Sequence, residues 1–405
     1  ITQGFYNFPL IMTTVSDTWC RLPDEEANAA RLLGASEFRI FVSITLRQLS
    51  GAIFSACAPV FLFCFFSFML VLLFGGIGCT TLEVELYHAI RSQLDFALAS
   101  RIAVAETLLA FTFVAIYSAL RERKAKKGLQ KHPYPCTAIR GVAEIALFSI
   151  FTVLVTFFFL APLGGILWNA CTSTKGALSA QTALHLVTSK SFAPALYNTL
   201  LTASTTAILC ALFAFCYATL LFSYENHVAR ERLQNGRRAK LMRATTFVFR
   251  NIPLLTMAIS SVVLGSVFVL LIRRGSVLML IIAQTMLYWS FAFRQIYAQL
   301  AKIPPLALDA ARLFKKKLTD TLFGMYLPFC ARGIISAIGF CFALSAGDTT
   351  LPLVLAIPHF NTLALLTYQL AGAYRFHEAC AAGLLLAACC AGIFSCANTI
   401  KRQAR

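Results

Sequence analysis

Three charged side chains stand where the surrounding sequence is almost wholly apolar, and that setting decides what chemistry they could carry. Asp348 lies in Ala346-Gly347-Asp348-Thr349-Thr350, where an apolar stretch ends just ahead of Pro352. Glu106 and Arg294 each sit inside a long apolar run. An ionisable group at membrane depth is costly, so it faces a cavity, a transport route or a partner side chain. Asp348 is therefore the first candidate for lining a pathway, with holding helices together as the alternative. Glu106 and Arg294 are candidates of the same kind. Glu144 and Arg250 fall near the ends of apolar runs, where such side chains snorkel to water.

No motif for covalent or hydrolytic chemistry accompanies them. The chain carries no G-x-x-x-x-G-K-[ST] phosphate loop, no G-x-S-x-G and no H-E-x-x-H. No catalytic residue is assigned, and any nucleotide must bind another chain. The 14 cysteines include no C-x-x-C pair, and most lie inside apolar runs, where a thiol behaves as a small hydrophobe. Only Cys79 and Cys171 are placed to face an oxidising compartment. His88, His185, His359 and His377 are too dispersed to hold a metal. Tyr87, Tyr368 and Tyr374 read as an interface belt, with Tyr368 kept as a pathway candidate.

The elements that must position these residues follow from composition. Of 405 residues, 59% are hydrophobic and 13% charged. Soluble domains carry about 25% charged residues, so this is an all-α polytopic membrane chain. A spanning helix needs about 20 apolar residues. Eight candidates follow, at 53–75, 101–120, 141–168, 193–222, 246–272, 277–300, 333–357 and 378–400, with 1–19 as the tail of a ninth.

The net charge of +18 would suggest nucleic acid in a soluble protein. Here it tracks topology. Segments 20–50, 121–140, 223–250, 300–332 and 401–405 hold 27 Lys and Arg, against 7 in the intervening segments. That bias places the first set, and the C-terminus, in the cytoplasm.

Sliding the sequence against itself by 281 residues aligns two of those cytoplasmic loops without a gap. Ala29-Ala30-Arg31-Leu32 falls on Ala310-Ala311-Arg312-Leu313, and Leu46, Ile53, Ser55 and Ala56 fall on Leu327, Ile334, Ser336 and Ala337. Repeated halves are a common way to build a transporter around a central pathway. The chain starts at Ile1, inside an apolar run, so an N-terminally truncated first half over 1–140 and a complete six-helix second half over 141–405 are expected.

Both loops resemble the cytoplasmic E-A-A-x3-G-x9-I-x-L-P segment of binding-protein-dependent ABC importer permeases. The first reads Asn28-Ala29-Ala30, Gly34 and Ile44-Thr45-Leu46, with Arg47 where the pattern has Pro. The second reads Asp309-Ala310-Ala311, Lys315 in place of Gly, then Met325-Tyr326-Leu327-Pro328. Further islands are similar to the fused permease of thiamine importers: Pro23-Asp24-Glu25, Ser67-Phe68, Gly75-Gly76, Thr80 to Tyr87 and Phe360 to Arg375. Iron(III) permeases are similar too.

The resemblance implies a type I importer permease fold with two tandem repeats in the inner membrane. It implies an ATPase subunit, a homodimer carrying ATP and Mg, docked on the two loops, and no cofactor on this chain. It also implies an extracytoplasmic binding protein and thiamine, or its phosphates, as cargo. Thiamine is a cation with aromatic rings, which a carboxylate and nearby aromatics would suit. Iron(III) or another small solute is the alternative cargo. An ion-coupled secondary transporter using Asp348, Glu106 or Arg294, or a membrane scaffold, is the alternative class.

Overall fold

The computed structural model describes residues 2–20, 22–23, 25–76, 78, 80–124, 141–172, 181–231, 236–272, 274–304 and 322–403. Among the described residues it is helical, with no β-strand. Backbone polar groups in lipid must be satisfied within the segment, and a helix does this. Seven helices are long and apolar enough to span a membrane, and one further pair, Thr245–Thr256 with Ser261–Ile272, is bent by 83°.

The elements are α1 (Thr2–Trp19), α2 (Glu25–Leu32), α3 (Glu37–Ile40), a π turn π1 (Phe41–Thr45), α4 (Leu46–Phe65), α5 (Phe68–Phe74) and α6 (Leu82–His88). After these come π2 (Ala89–Gln93), α7 (Phe96–Lys124), α8 (Val142–Cys171), α9 (Gln181–Thr188), α10 (Phe192–Glu231), α11 (Gly236–Thr256), α12 (Ser261–Ile272) and α13 (Val277–Leu300). The last are π3 (Leu322–Tyr326), α14 (Leu327–Gly347), α15 (Thr350–Leu355), α16 (Leu363–Gly372) and α17 (Phe376–Gln403).

Two expected spans have different bounds. The helices run Glu37–Phe65 and Leu322–Gly347 rather than over 53–75 and 333–357. In each case the apolar letters continue past a break, at Phe66-Ser67 and at Asp348-Thr349, where a separate short helix begins. Hydropathy counts apolar residues and is blind to such a break. Residues 2–19 do form a helix, although it is not among the seven.

The chain divides into two compact units. Unit 1 comprises residues 1–84 and 104–165. In it α1 packs along α4, Tyr6 meets Phe63 edge-on at 6.4 Å, and Phe61 stacks on Phe113 of α7 at 3.9 Å. Unit 2 comprises residues 85–103 and 166–405. Its core is the triple of α10, α13 and α14. Along α10, Ala203, Ala207, Cys210, Ala214 and Ala218 are fully buried at spacings of three and four residues, facing Ala292 of α13 and Ala337 of α14. Small side chains at helical spacing let backbones close up, which is how helices associate where lipid supplies no hydrophobic drive.

The tightest approach in unit 2 is at Gly275, where an added Cβ would lie 2.3 Å from the Leu355 carbonyl oxygen. Backbone must move to admit it, so Gly275→Ala is expected to destabilise by about 2 kcal/mol, read as a lowered melting temperature in detergent. Gly265→Ala should cost less. Its Cβ meets side-chain atoms rather than backbone, Val354 Cγ1 at 2.9 Å and Cβ at 3.2 Å and Leu351 Cδ2 at 3.4 Å, which can give more readily.

The helix boundaries repeat at the same 281-residue offset as the loops. α1 and α13 end at Trp19 and Leu300, α4 and α14 begin at Leu46 and Leu327, α5 and α15 end at Phe74 and Leu355, and α6 and α16 begin at Leu82 and Leu363. Eight identities in the loops and in the N-terminal parts of α4 and α14 thus mark a repeat that extends to α6 and α16.

Candidate functional site

The first loop is built by local rules. Glu25 and Glu26 occupy the first turn of α2, where negative charge suits the helix dipole, and Ala29 and Ala30 carry it forward. Gly34, at φ +80°, ends it in the left-handed region that glycine adopts without strain. The Gly34 amide donates to the Arg31 carbonyl and the Ala35 amide to the Ala30 carbonyl, both at 3.0 Å, which closes the helix end. The Ser36 hydroxyl then accepts from the Arg39 amide to start α3.

An ion pair clips the two short helices together. Arg31 Nε and Nη2 donate to the two Glu37 carboxylate oxygens at 2.6 and 3.0 Å, and Arg31 Nη1 donates to Asn28 Oδ1 at 2.8 Å. Gln48 of α4 donates to Glu26 at 2.9 Å. The clip leaves Leu32, Leu33 and Phe38 exposed at 90%, 88% and 79%. Apolar side chains of this size left this open are candidates for an interaction surface. Ile44 is half-buried in π1 and Leu46 is exposed at the start of α4. In the second copy Leu327 and Pro328 begin α14, and Asp309, Ala310, Ala311 and Lys315 lie outside the described residues.

Asp348 is buried and belongs to a polar cluster that the sequence did not reveal. Its Oδ1 accepts from the amides of Thr350 and Leu351 at 2.9 and 3.3 Å, and its Oδ2 from Gln284 Nε2 at 3.2 Å. Gln284 Oε1 in turn accepts from the hydroxyls of Ser345 at 2.6 Å and Thr206 at 3.2 Å. Thr206, Gln284 and Ser345 are all at most 3% exposed. One amide therefore joins α10, α13 and α14 and holds the carboxylate at the start of α15. The amide at 284, ten residues ahead of Arg294 and preceded by seven apolar residues, was a visible signal. Thr206 and Ser345 carried none, because hydroxyls are ordinary in membrane helices.

One layer further along the same three helices, the Cys210 thiol donates to the Thr285 carbonyl and the Cys341 thiol to the Tyr288 carbonyl. Both act as small buried polar fillers. Cys79 lies outside the described residues, and Cys171 is exposed at the end of α8. Among the described residues no three metal-ligating side chains converge.

The other pathway candidates lie on three different helices. Glu106 is fully buried on α7 within unit 1. Arg294 is exposed on α13. Tyr368 is half-buried on α16, outside the seven spans, and is the residue 281 positions after Tyr87. Burial raises the Tyr368 hydroxyl above the ordinary phenol range, and neighbouring Tyr87 adds to the rise. Both lie in unit 2, where Arg91 of π2 also donates to the Leu353 carbonyl of α15 at 3.4 Å.

A family model described as the binding-protein-dependent transport system inner membrane component matches residues 1–126 and 227–402. The thiamine transport system permease protein ThiP of Escherichia coli K12 is 22% identical over 402 residues, covering 98% of this chain and 71% of that protein. The protein of the same name from Brucella abortus strain 2308 is 25% identical over 419 residues, covering 98% and 70%. Among solved structures, a bacterial alginate ABC transporter in complex with an alginate pentasaccharide-bound periplasmic protein aligns with TM-score 0.49 at 14% identity. That alignment covers 64% of this chain and 94% of the other.

Proposed function

Because this chain belongs to the family of binding-protein-dependent transport system inner membrane components, we propose that it carries thiamine inward and is driven by a separate ATPase docked on its two cytoplasmic loops. It is a multi-pass permease subunit of an ABC importer. In this reading residues 1–140 and 141–405 belong to two successive halves, the C-terminus is cytoplasmic, and an extracytoplasmic binding protein delivers the cargo. ATP and Mg sit on the ATPase. Its closure moves the loops around 24–46 and 305–328, and α4 and α14, which leave them, carry the motion into the membrane. The two halves then alternate between outward-facing and inward-facing states.

The observation that carries the cargo assignment is the alignment of thiamine permeases along 98% of the chain. The neighbouring tyrosines support it. Tyr87 and Tyr368 occupy equivalent positions of the repeat, and paired aromatic rings suit a cation with aromatic rings of its own.

The test is reconstitution in proteoliposomes with the ATPase and the binding protein. Thiamine should stimulate ATP hydrolysis and enter the vesicles, and Tyr87→Leu with Tyr368→Leu should lower that uptake about tenfold. Stimulation by ferric iron alone would overturn the cargo and keep the importer. Uptake by the lone chain under an ion gradient, with no ATPase bound, would favour a secondary transporter instead.

A further inference from the structure

We infer that the two π turns, Phe41–Thr45 and Leu322–Tyr326, are the positioning segments through which the loops turn against the membrane helices during the cycle. This rests on the importer reading above. The two segments are five residues long, lie 281 residues apart, and lead directly into α4 and α14. In the first, the Leu46 amide donates to the Phe41 carbonyl, five residues back rather than four. The third π turn, Ala89–Gln93, has no counterpart at the offset, because residues 370–374 form the end of α16 and its turn. Repetition of the π turn is thus confined to the places where the loops enter the membrane helices.

Local sequence does not account for both copies. Pro328 has no amide hydrogen and crowds the carbonyl four residues back, which favours opening the turn in the second copy. The first copy has Arg47 at that place and opens all the same. Phe-Val-Ser-Ile-Thr and Leu-Phe-Gly-Met-Tyr share no residue at any position, so one backbone shape arises at one place from unrelated side chains. None of the first five side chains is buried, so no packed core holds that turn open, whereas Met325 and Tyr326 of the second are buried in the core of unit 2. A shared packing environment does not explain the shared shape. The Ser43 hydroxyl donates to the Arg39 carbonyl at 2.5 Å.

A π turn holds one residue more than an α turn, about 100° of helical twist, within an otherwise continuous helix. Exchange between π and α pairing rolls the loop about the helix axis without breaking the helix. The membrane helix therefore receives a push from the ATPase and keeps its hydrogen bonds.

The test deletes Ser43 and, separately, its equivalent Gly324, in the complete transporter in proteoliposomes. Removing the extra residue restores an α turn and leaves the registers on either side unchanged. Thiamine-loaded binding protein is the stimulus. The expected result is normal co-purification with the ATPase and at least about a tenfold loss of stimulated hydrolysis. Ser43→Ala and Gly324→Ala, which keep the residue count, should be stimulated as the parent is. Deleting Ser43 while inserting an alanine between Ile44 and Thr45 should restore stimulation. Full stimulation in the deletions, loss of ATPase binding, or failure of the count-restored chain would each overturn the inference. A parent transporter that thiamine does not stimulate but ferric iron does would overturn the cargo and leave the deletions to be read with iron. One stimulated by neither would overturn the importer reading itself, a result seen before any deletion is made.

Discussion

Replacing Leu32, Leu33 and Phe38 together with serine is expected to weaken binding of the ATPase by about a hundredfold, with the chain still inserted in the membrane. These side chains are 79–90% exposed. Fully burying an apolar side chain of this size is worth about 1.5–3 kcal/mol. Docking that realises half of this for the three gives about 3 kcal/mol, or a little over a hundredfold in affinity. Arg31→Ala is a useful contrast. It removes an ion pair that is 47% and 71% exposed at its two ends, and water and salt screen such exposed pairs so that they contribute little. Its effect on affinity should stay within about fivefold, by loosening the fit between α2 and α3. Titration of the purified complex with ATPase measures both. Unchanged affinity in the triple serine variant would remove the first loop from the interface.

The loop was largely legible in sequence because its rules are local. Alanines, first-turn acids and a glycine three residues after Arg31 specify helix, turn and helix within a dozen positions. The repeat was legible for a similar reason, since eight identities at one offset need no knowledge of packing. The membrane helices were legible as apolar runs, but their ends were not. The backbone leaves the helical region at Phe66 (φ −92°, ψ 38°) and at Asp348 (φ −73°, ψ 115°) while the apolar letters run on.

Partnership across helices was least legible. Asp348 stood out by charge, but nothing in the sequence pointed from it to Thr206, 142 residues earlier in the chain. Arg294, equally conspicuous as a letter, lies exposed on α13. A charge inside an apolar run signals that some arrangement exists, and only the packing of α10, α13 and α14 identifies it. Conversely, Leu32, Leu33 and Phe38 look like ordinary core letters, and their significance comes from being left outside.

The same cluster supplies the second large effect. Gln284→Leu is expected to lower the stability of the membrane domain by about 3 kcal/mol and its melting temperature in detergent by several degrees. The amide accepts from Thr206 and Ser345 and donates to the Ser345 carbonyl at 3.4 Å and to Asp348. Hydrogen bonds between membrane helices contribute about 0.6–1.7 kcal/mol each, so four sum to about 2–7 kcal/mol, offset by the greater hydrophobicity of leucine. Leucine also removes one of the donors to the buried Asp348 carboxylate, and losing a bond to a buried charged group costs more than losing a neutral one. Thr206→Val removes a single bond and should cost about 1 kcal/mol. Because both changes act on one amide, the double variant should be no less stable than Gln284→Leu alone, a non-additivity that a thermodynamic cycle reads directly. Full additivity would mean that Thr206 and Gln284 act separately and that no shared clamp joins α10 to α13. A melting temperature unchanged by Gln284→Leu would mean the cluster contributes nothing to holding the three helices together.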